Sequence, residues 1–138
     1  MCENLVGELV KGKYFDPVAR LPDKEFYKKF LSNINDGDPL KIVEVHVELK
    51  DVDPAMKDIA ISRIASVIKH SVRIPKDVVM RVGDKDFTVV LGGIDDNLAG
   101  IIAKRLKDNL LYFNLNIGGK MTKIIPTVEV KDIEGISK

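Results

Sequence analysis

The chain has 138 residues, 45% hydrophobic and 31% charged, with a formal net charge of +1. That suits one globular domain able to bury a core without disulfides or metal, and near-neutrality removes any global electrostatic case for binding nucleic acid or an anionic membrane. The single cysteine, Cys2, excludes an internal disulfide framework and cannot by itself build a zinc site.

No apolar run approaches the ~18 residues of a membrane span, and the start MCENLVGELVKGK lacks the basic-then-apolar order of a secretory signal. The expectation is a cytoplasmic protein, or a cytoplasmic piece of a longer one, without membrane insertion. Leu5, Val6, Leu9 and Val10 recur on one side of a short helix ending near Gly12. Residues 1–13 are read as that helix, packed on the domain or serving as a linker or dimer helix, ahead of a domain at 14–138. Pro17 and Pro22 then break structure, and Asp23 is placed to start a helix reaching about Asn33. Phe26, Phe30, Leu31 and Ile34 form its apolar stripe, Lys24, Lys28 and Lys29 face water, and the turn residues from Asn35 to Pro39 close it.

Leu40 to Leu49 alternates as a strand, with Ile42, Glu44, His46 and Glu48 on one face and Val43, Val45, Val47 and Leu49 on the other. His46 and Glu48 share a face and have the chemistry to ligate a divalent metal, but without a third acid nearby a solvated polar face is the plainer reading. Asp51 and Asp53 offer either a metal pair or, more simply, a helix cap before Pro54. Pro54 to Val72 is the longest helical pattern, burying Ile59, Ile61, Ile64, Ala65, Val67 and Ile68, with His70 making a dipole contact near its end.

Arg73 to Asp77 is a loop with a local ion pair. Val78-Val79-Met80 and Phe87 to Leu91 flank the turn Gly83-Asp84-Lys85-Asp86, which predicts a hairpin, expected in the middle of the sheet with its tip held out. Gly92-Gly93 breaks the strand; lacking a phosphate-cradle motif, the pair reads as a strand-to-helix turn. Asp95 to Tyr112 follows as a helix capped by Asp95 or Asp96, with Leu98, Ile101, Ile102, Leu106, Leu110 and Leu111 inward. Phe113 to Ile117 and Met121 to Val130, around Gly118-Gly119, predict a second hairpin before the polar tail Lys131 to Lys138. This order argues an α/β fold: a mostly antiparallel, five-stranded central sheet flanked by helices.

Arg81-Val82-Gly83-Asp84-Lys85-Asp86-Phe87 resembles the signature of GGDEF domains, the diguanylate cyclases of bacterial second-messenger signalling. Arg81, Gly83, Asp86 and Phe87 fit that signature, while Asp84 stands at its second glycine and Lys85 at its metal-binding acid. Upstream, Asp16, Leu21, Pro22 and Phe26 are in register with the family's opening segment, with Ala19 and Arg20 at a Thr-Gly pair that abuts nucleotide. Downstream, Thr127-Val128-Glu129-Val130 matches a late strand, and the family's closing helix has no counterpart in this chain.

The resemblance implies a GGDEF/nucleotidyl-cyclase-like, ferredoxin-like palm fold. The family's first-strand aspartate, which holds magnesium, falls on Glu44 or His46 here; with Asp86 these are the positions left for a metal, and none is expected. Asp58 keeps the place of an acid that reads guanine, Arg81 and Lys85 are the remaining nucleotide contacts, and Arg73 with Asp77 marks a remnant of the inhibitory product site. With Lys85 placing a cation among the metal ligands, the reading is a catalytically inactive, degenerate GGDEF domain acting as a regulatory or interaction module in cyclic di-GMP signalling. The alternatives are a receptor for GTP or cyclic di-GMP and a residual cyclase making cyclic di-GMP from two GTP; Mg2+ is implied only where activity or GTP binding survives. The implied partners are another protein or an adjoining signalling domain, one of those nucleotides, or a second copy in a homodimer, and no nucleic acid.

Overall fold

The structure, a computed structural model, describes residues 14–32, 40–50, 52–73, 77–93, 95–117 and 119–132. The expected helix over Cys2 to Val10 lies outside them, as do Ile34 and Asp51.

Strand β1 (Phe15–Asp16) pairs antiparallel with β2 (Leu21–Pro22) in a small ribbon where the prolines had pointed only to broken structure. Asp16 closes the ribbon, its Oδ1 accepting the main-chain N–H of Val18 at 2.9 Å and of Ala19 at 3.1 Å. Helix α1 (Lys24–Ser32) begins where Asp23 Oδ1 accepts the N–H of Phe26 at 3.0 Å.

The main sheet contains β3 (Leu40–Lys50), β4 (Val78–Arg81), β5 (Asp86–Gly92), β6 (Leu115–Ile117) and β7 (Lys120–Asp132). Every pairing is antiparallel and the order is β4-β5-β3-β7-β6. The expected hairpin β4–β5 forms, but β4 is an edge strand and β3 holds the middle, contrary to the sequence expectation. A hairpin signal says which two strands pair and leaves open where the pair lies. β3 has apolar main positions on both faces, and it pairs with β5 from Leu40 to His46 and with β7 from Lys41 to Lys50.

Pro126 is tolerated inside β7 for a geometric reason. The Val47 N–H donates to Lys85 O at 3.0 Å on the β5 side, so Val47 turns its main-chain groups away from β7. Its partner Pro126 therefore sits in a non-hydrogen-bonded pair, where the missing N–H costs no ladder bond.

Asp53 Oδ1 accepts the Ala55 N–H at 2.9 Å, as a cap rather than half of a metal pair, and a short 3-10 turn (Pro54–Met56) leads into helix α2 (Lys57–Ser71). Gly93 takes a left-handed φ of +59°, turning the chain from β5 toward helix α3 (Asp96–Leu111). Asp95 caps α3, accepting the Leu98 N–H at 2.8 Å. Both helices cover one face of the sheet, where Ile61, Ile64, Ile68, Ile102, Leu106 and Leu110 pack on Val43, Val45, Val47, Phe87 and Val89. At the junction of the helices, Arg105 Nε donates to Ser71 O and Asn109 Nδ2 to Ser71 Oγ.

Four residues expected inward are exposed: Ile59, Leu98, Ile101 and Leu111. Ala60, Ala99 and Ala103 take inward positions instead, because small side chains let a helix approach the sheet closely. The described residues cover the opposite sheet face only in part: Phe26 and Leu31 of α1 pack on Ile42, Met80 and Val90. Beyond α1, Glu44, His46 and Glu48 of β3 remain on a partly open surface.

Candidate functional site

The open part of that sheet face is a cleft of about 510 Å³, lined by Tyr27, Glu44, His46, Val82, Asp86, Thr88, Thr127 and Glu129 among others. Burial, and then the nearby Glu44 carboxylate, push the Tyr27 hydroxyl pKa up. At one end of the cleft is the β4–β5 turn, closed by the N–H groups of Val82 and Gly83 donating to Asp86 O at 2.9 and 3.3 Å. A Cβ at Gly83 would lie 2.8 Å from Asp86 Oδ2, so a larger residue here would displace that carboxylate.

Asp86 and His46 are Cα partners across β5 and β3. His46 Nδ1 lies 2.6 Å from Asp86 Oδ1, and Nε2 lies 2.6 Å from Glu48 Oε1. Two carboxylates at the two ring nitrogens call for two N–H donors, which is the imidazolium. The bond to Glu48, then that to Asp86, raises the His46 pKa above its ordinary value. Lys85 Nζ donates to Glu48 Oε2 at 3.2 Å, and the bonds from His46 and then Lys85 hold the Glu48 carboxyl below the usual range. The result is a ladder of alternating charge: Asp86, His46, Glu48, Lys85.

Arg81 is turned inward, its side chain 11% exposed, and its guanidinium donates from Nη1 to Asp16 Oδ2 at 3.0 Å, from Nε to Gly83 O at 3.2 Å and from Nη2 to Asp84 O at 2.6 Å. It clamps the turn to the β1–β2 ribbon. Asp84 pairs with Lys57, whose ammonium, helped by Arg81 and Lys85, holds the Asp84 carboxyl below its ordinary range. Among the described residues it is thus Lys57, and not the exposed Asp58 beside it, that reaches the turn from α2.

Arg73 and Asp77 are brought together, and onto each other. Arg73 Nε and Nη2 donate to the two Asp77 oxygens at 2.9 and 2.6 Å, while Nη2 also donates to Gly92 O at 3.1 Å. The Asp77 side chain is 0% exposed, so this pair fastens the entry to β4 to the end of β5 and presents no carboxylate oxygen to solvent. His70 is exposed on α2, its Nδ1 hydrogen donating to Ser66 O at 2.7 Å, beside a second groove of about 590 Å³ that also meets Arg63 and Tyr112.

Glu44, His46 and Asp86, the positions left for a metal, do not fit a magnesium ion. His46 has both nitrogens engaged by carboxylates, Glu44 Oε2 lies 3.1 Å from Lys131 Nζ, and the Lys85 ammonium occupies the rim. Magnesium asks for a near-octahedral shell of oxygens, and here N–H donors stand where the ion would. Among the described residues, no group of three or more His, Cys, Asp or Glu side chains is arranged to hold a metal ion. No described helix is long and apolar enough to cross a membrane.

The residues that the sequence reading missed are Lys57 and Lys131, and the contact of Asp16 with Arg81 was not foreseen although Asp16 itself was noted. Each reaches the turn or the cleft from a distant element, and nothing local marks the contact.

No protein-family model matches the chain, and no curated protein matches it either. Solved structures do. The diguanylate cyclase SiaD of Pseudomonas aeruginosa, solved with its activator SiaC, is similar with a TM-score of 0.72 at 19% identity over 94% of this chain, which spans 54% of the SiaD chain. The GGDEF domain of FimX from the same organism gives 0.70 at 16% identity, over 91% of this chain and 84% of that one. LapD of Vibrio cholerae, an S helix-GGDEF-EAL protein bound to c-di-GMP, gives 0.64 at 15% identity, over 92% of this chain and 30% of that one. The fold is therefore that of GGDEF domains.

Proposed function

We propose that this chain is a non-catalytic domain of the GGDEF fold, a regulatory or interaction module of bacterial cyclic di-GMP signalling, comprising residues 14–138. The observation that carries the reading is Lys85. An ammonium stands at the place where the resembling family has a metal-binding acid, and it is bonded to Glu48 beside an imidazolium at His46. Phosphoryl transfer in such a site relies on metal ions to neutralise the triphosphate and position the attacking oxygen, and a cation fixed among the ligands opposes that.

Two nucleotide contacts carried over from the family are otherwise engaged. Arg81 is turned into the fold, and the buried Asp77 is held by Arg73. With those groups engaged inside the chain, contacts with a protein or an adjoining signalling domain are the function this reading favours. SiaD is bound by an activator protein and LapD combines its GGDEF unit with other segments, which supports a module read through its surface.

Calorimetric titration with GTP and with cyclic di-GMP, each with magnesium and with chelator, tests the reading. The expected outcome is no magnesium-dependent GTP binding and no cyclic di-GMP formed on incubation with GTP. Product formation would overturn it, and cyclic di-GMP binding that survives chelation would replace the pure interaction module with a receptor.

A further inference from the structure

The cleft wall carries three carboxylates, Glu44, Asp86 and Glu129, Glu48 stands beside it two residues beyond His46 on β3, and each of the four has a cation of the chain against it. Asp86 and Glu48 share His46, Glu48 also takes Lys85, and Lys131 Nζ stands 3.1 Å from Glu44 Oε2 and 3.8 Å from Glu129 Oε2. Oxygen-rich clefts of this kind ordinarily need an outside cation to hold their carboxylates together, because like charges a few ångströms apart repel.

We propose that the Asp86–His46–Glu48–Lys85 ladder is a protein-borne replacement for a divalent metal, holding the β4–β5 turn in its ordered geometry without metal or nucleotide. The argument is geometric. His46 reaches Asp86 at the head of β5 from one nitrogen and Glu48 on its own strand from the other, at 2.6 Å each. Asp86 in turn supplies the carbonyl that accepts the N–H groups of Val82 and Gly83, so the ring's grip on its side chain steadies the turn. Lys85 closes the far end onto Glu48 and, through its carbonyl, accepts the Val47 N–H at 3.0 Å. A divalent ion entering here meets two N–H donors and an ammonium in the positions its oxygens should occupy. The consequence for the module is a turn presented in one shape whatever the supply of metal or nucleotide, as a fixed docking surface requires.

The inference uses the same cleft as the non-catalytic reading, and the test separates the two. Amide spectra of the whole chain are recorded with added Mn2+, whose paramagnetism broadens signals near any bound ion. The wild type is expected to show no selective broadening at Val45, Val47 or Phe87. The double variant His46→Asp with Lys85→Glu, which exchanges both cations for carboxylates, is expected to gain it. Because that variant risks misfolding, a second measurement uses His46→Gln, which keeps the ring's approximate size and loses its charge. Hydrogen exchange at the Val82 and Gly83 amides is expected to quicken about threefold in it, the scale of one partly exposed hydrogen bond, while chelator leaves the wild type unchanged. Selective Mn2+ broadening in the wild type, or unaltered exchange in His46→Gln, would overturn the proposal. Broadening without cyclic di-GMP formation would do so while leaving the non-catalytic reading intact.

Discussion

His46, in the middle of β3, and Asp86, the first residue of β5, are cross-strand partners whose side chains meet at 2.6 Å. The contact joins a central strand to the turn that bears the GGDEF-like residues, and Glu48 on the ring's other nitrogen makes His46 a bridging cation. Its energetics depend on pH in two opposing ways.

The His46 pKa is raised on folding, so its contribution is complete below the ordinary 6.5 and is lost as pH rises through the folded value. The Glu48 pKa is lowered, so its contribution is complete above the ordinary 4.5 and is lost as pH falls through the folded value. Both are present together between 4.5 and 6.5. Thermal unfolding across pH should therefore give a broad maximum in that mildly acid window, with a modest fall on the alkaline side, because the His46 side chain is 41% exposed and solvent screens it. His46→Gln should flatten the alkaline fall; an unchanged profile in that variant would locate the titrating group elsewhere.

Gly83→Ala should strain the turn, since the new Cβ would lie 2.8 Å from Asp86 Oδ2. The carboxylate must shift to make room, which disturbs its contact with His46, at a cost of about 1 kcal/mol. Proton resonances of the His46 ring, followed through a pH titration, should report a pKa moved back toward the ordinary value.

Removing the Arg73 side chain leaves the Asp77 carboxylate buried with only main-chain support, the Arg73 N–H at 2.8 Å. Arg73→Ala should lower stability by about 3 kcal/mol, the scale for a buried charge that loses its partner. Urea denaturation measures it, and a loss below about 1 kcal/mol, the scale of an exposed pair, would show that the clamp is dispensable.

Ile101 and Ile102 are adjacent in sequence and opposite in environment, 53% and 1% exposed. Ile102→Ala should cost about 3 kcal/mol through the cavity it leaves, and Ile101→Ala about 0.5 kcal/mol or less. Equal losses in chemical denaturation would mean that the face of α3 exposed here is covered in solution.

Much of the fold was legible because its signals are local. The caps at Asp23, Asp53 and Asp95 each sit within three residues of the N–H they accept, and both hairpins are announced by a glycine-containing turn between apolar runs. The alternation of β3 correctly divided Val43, Val45 and Val47 from Glu44, His46 and Glu48. The facing of α3 was misread in part because a large apolar residue looks like core wherever it stands, whereas Ala99 and Ala103 bury small surfaces that composition does not advertise.

By itself the sequence determined the order of the elements from α1 to β7, the caps at Asp23, Asp53 and Asp95, and the two hairpins, since each depends on residues near one another along the chain. Only the tertiary structure decided that β3 lies at the centre, that His46 bridges Asp86 forty positions away, and that Arg81 turns inward to Asp16 across sixty-five. Those contacts follow from strand order and register, and register is set by how the whole apolar surface of both helices closes on the sheet, a sum over distant residues that no local pattern contains.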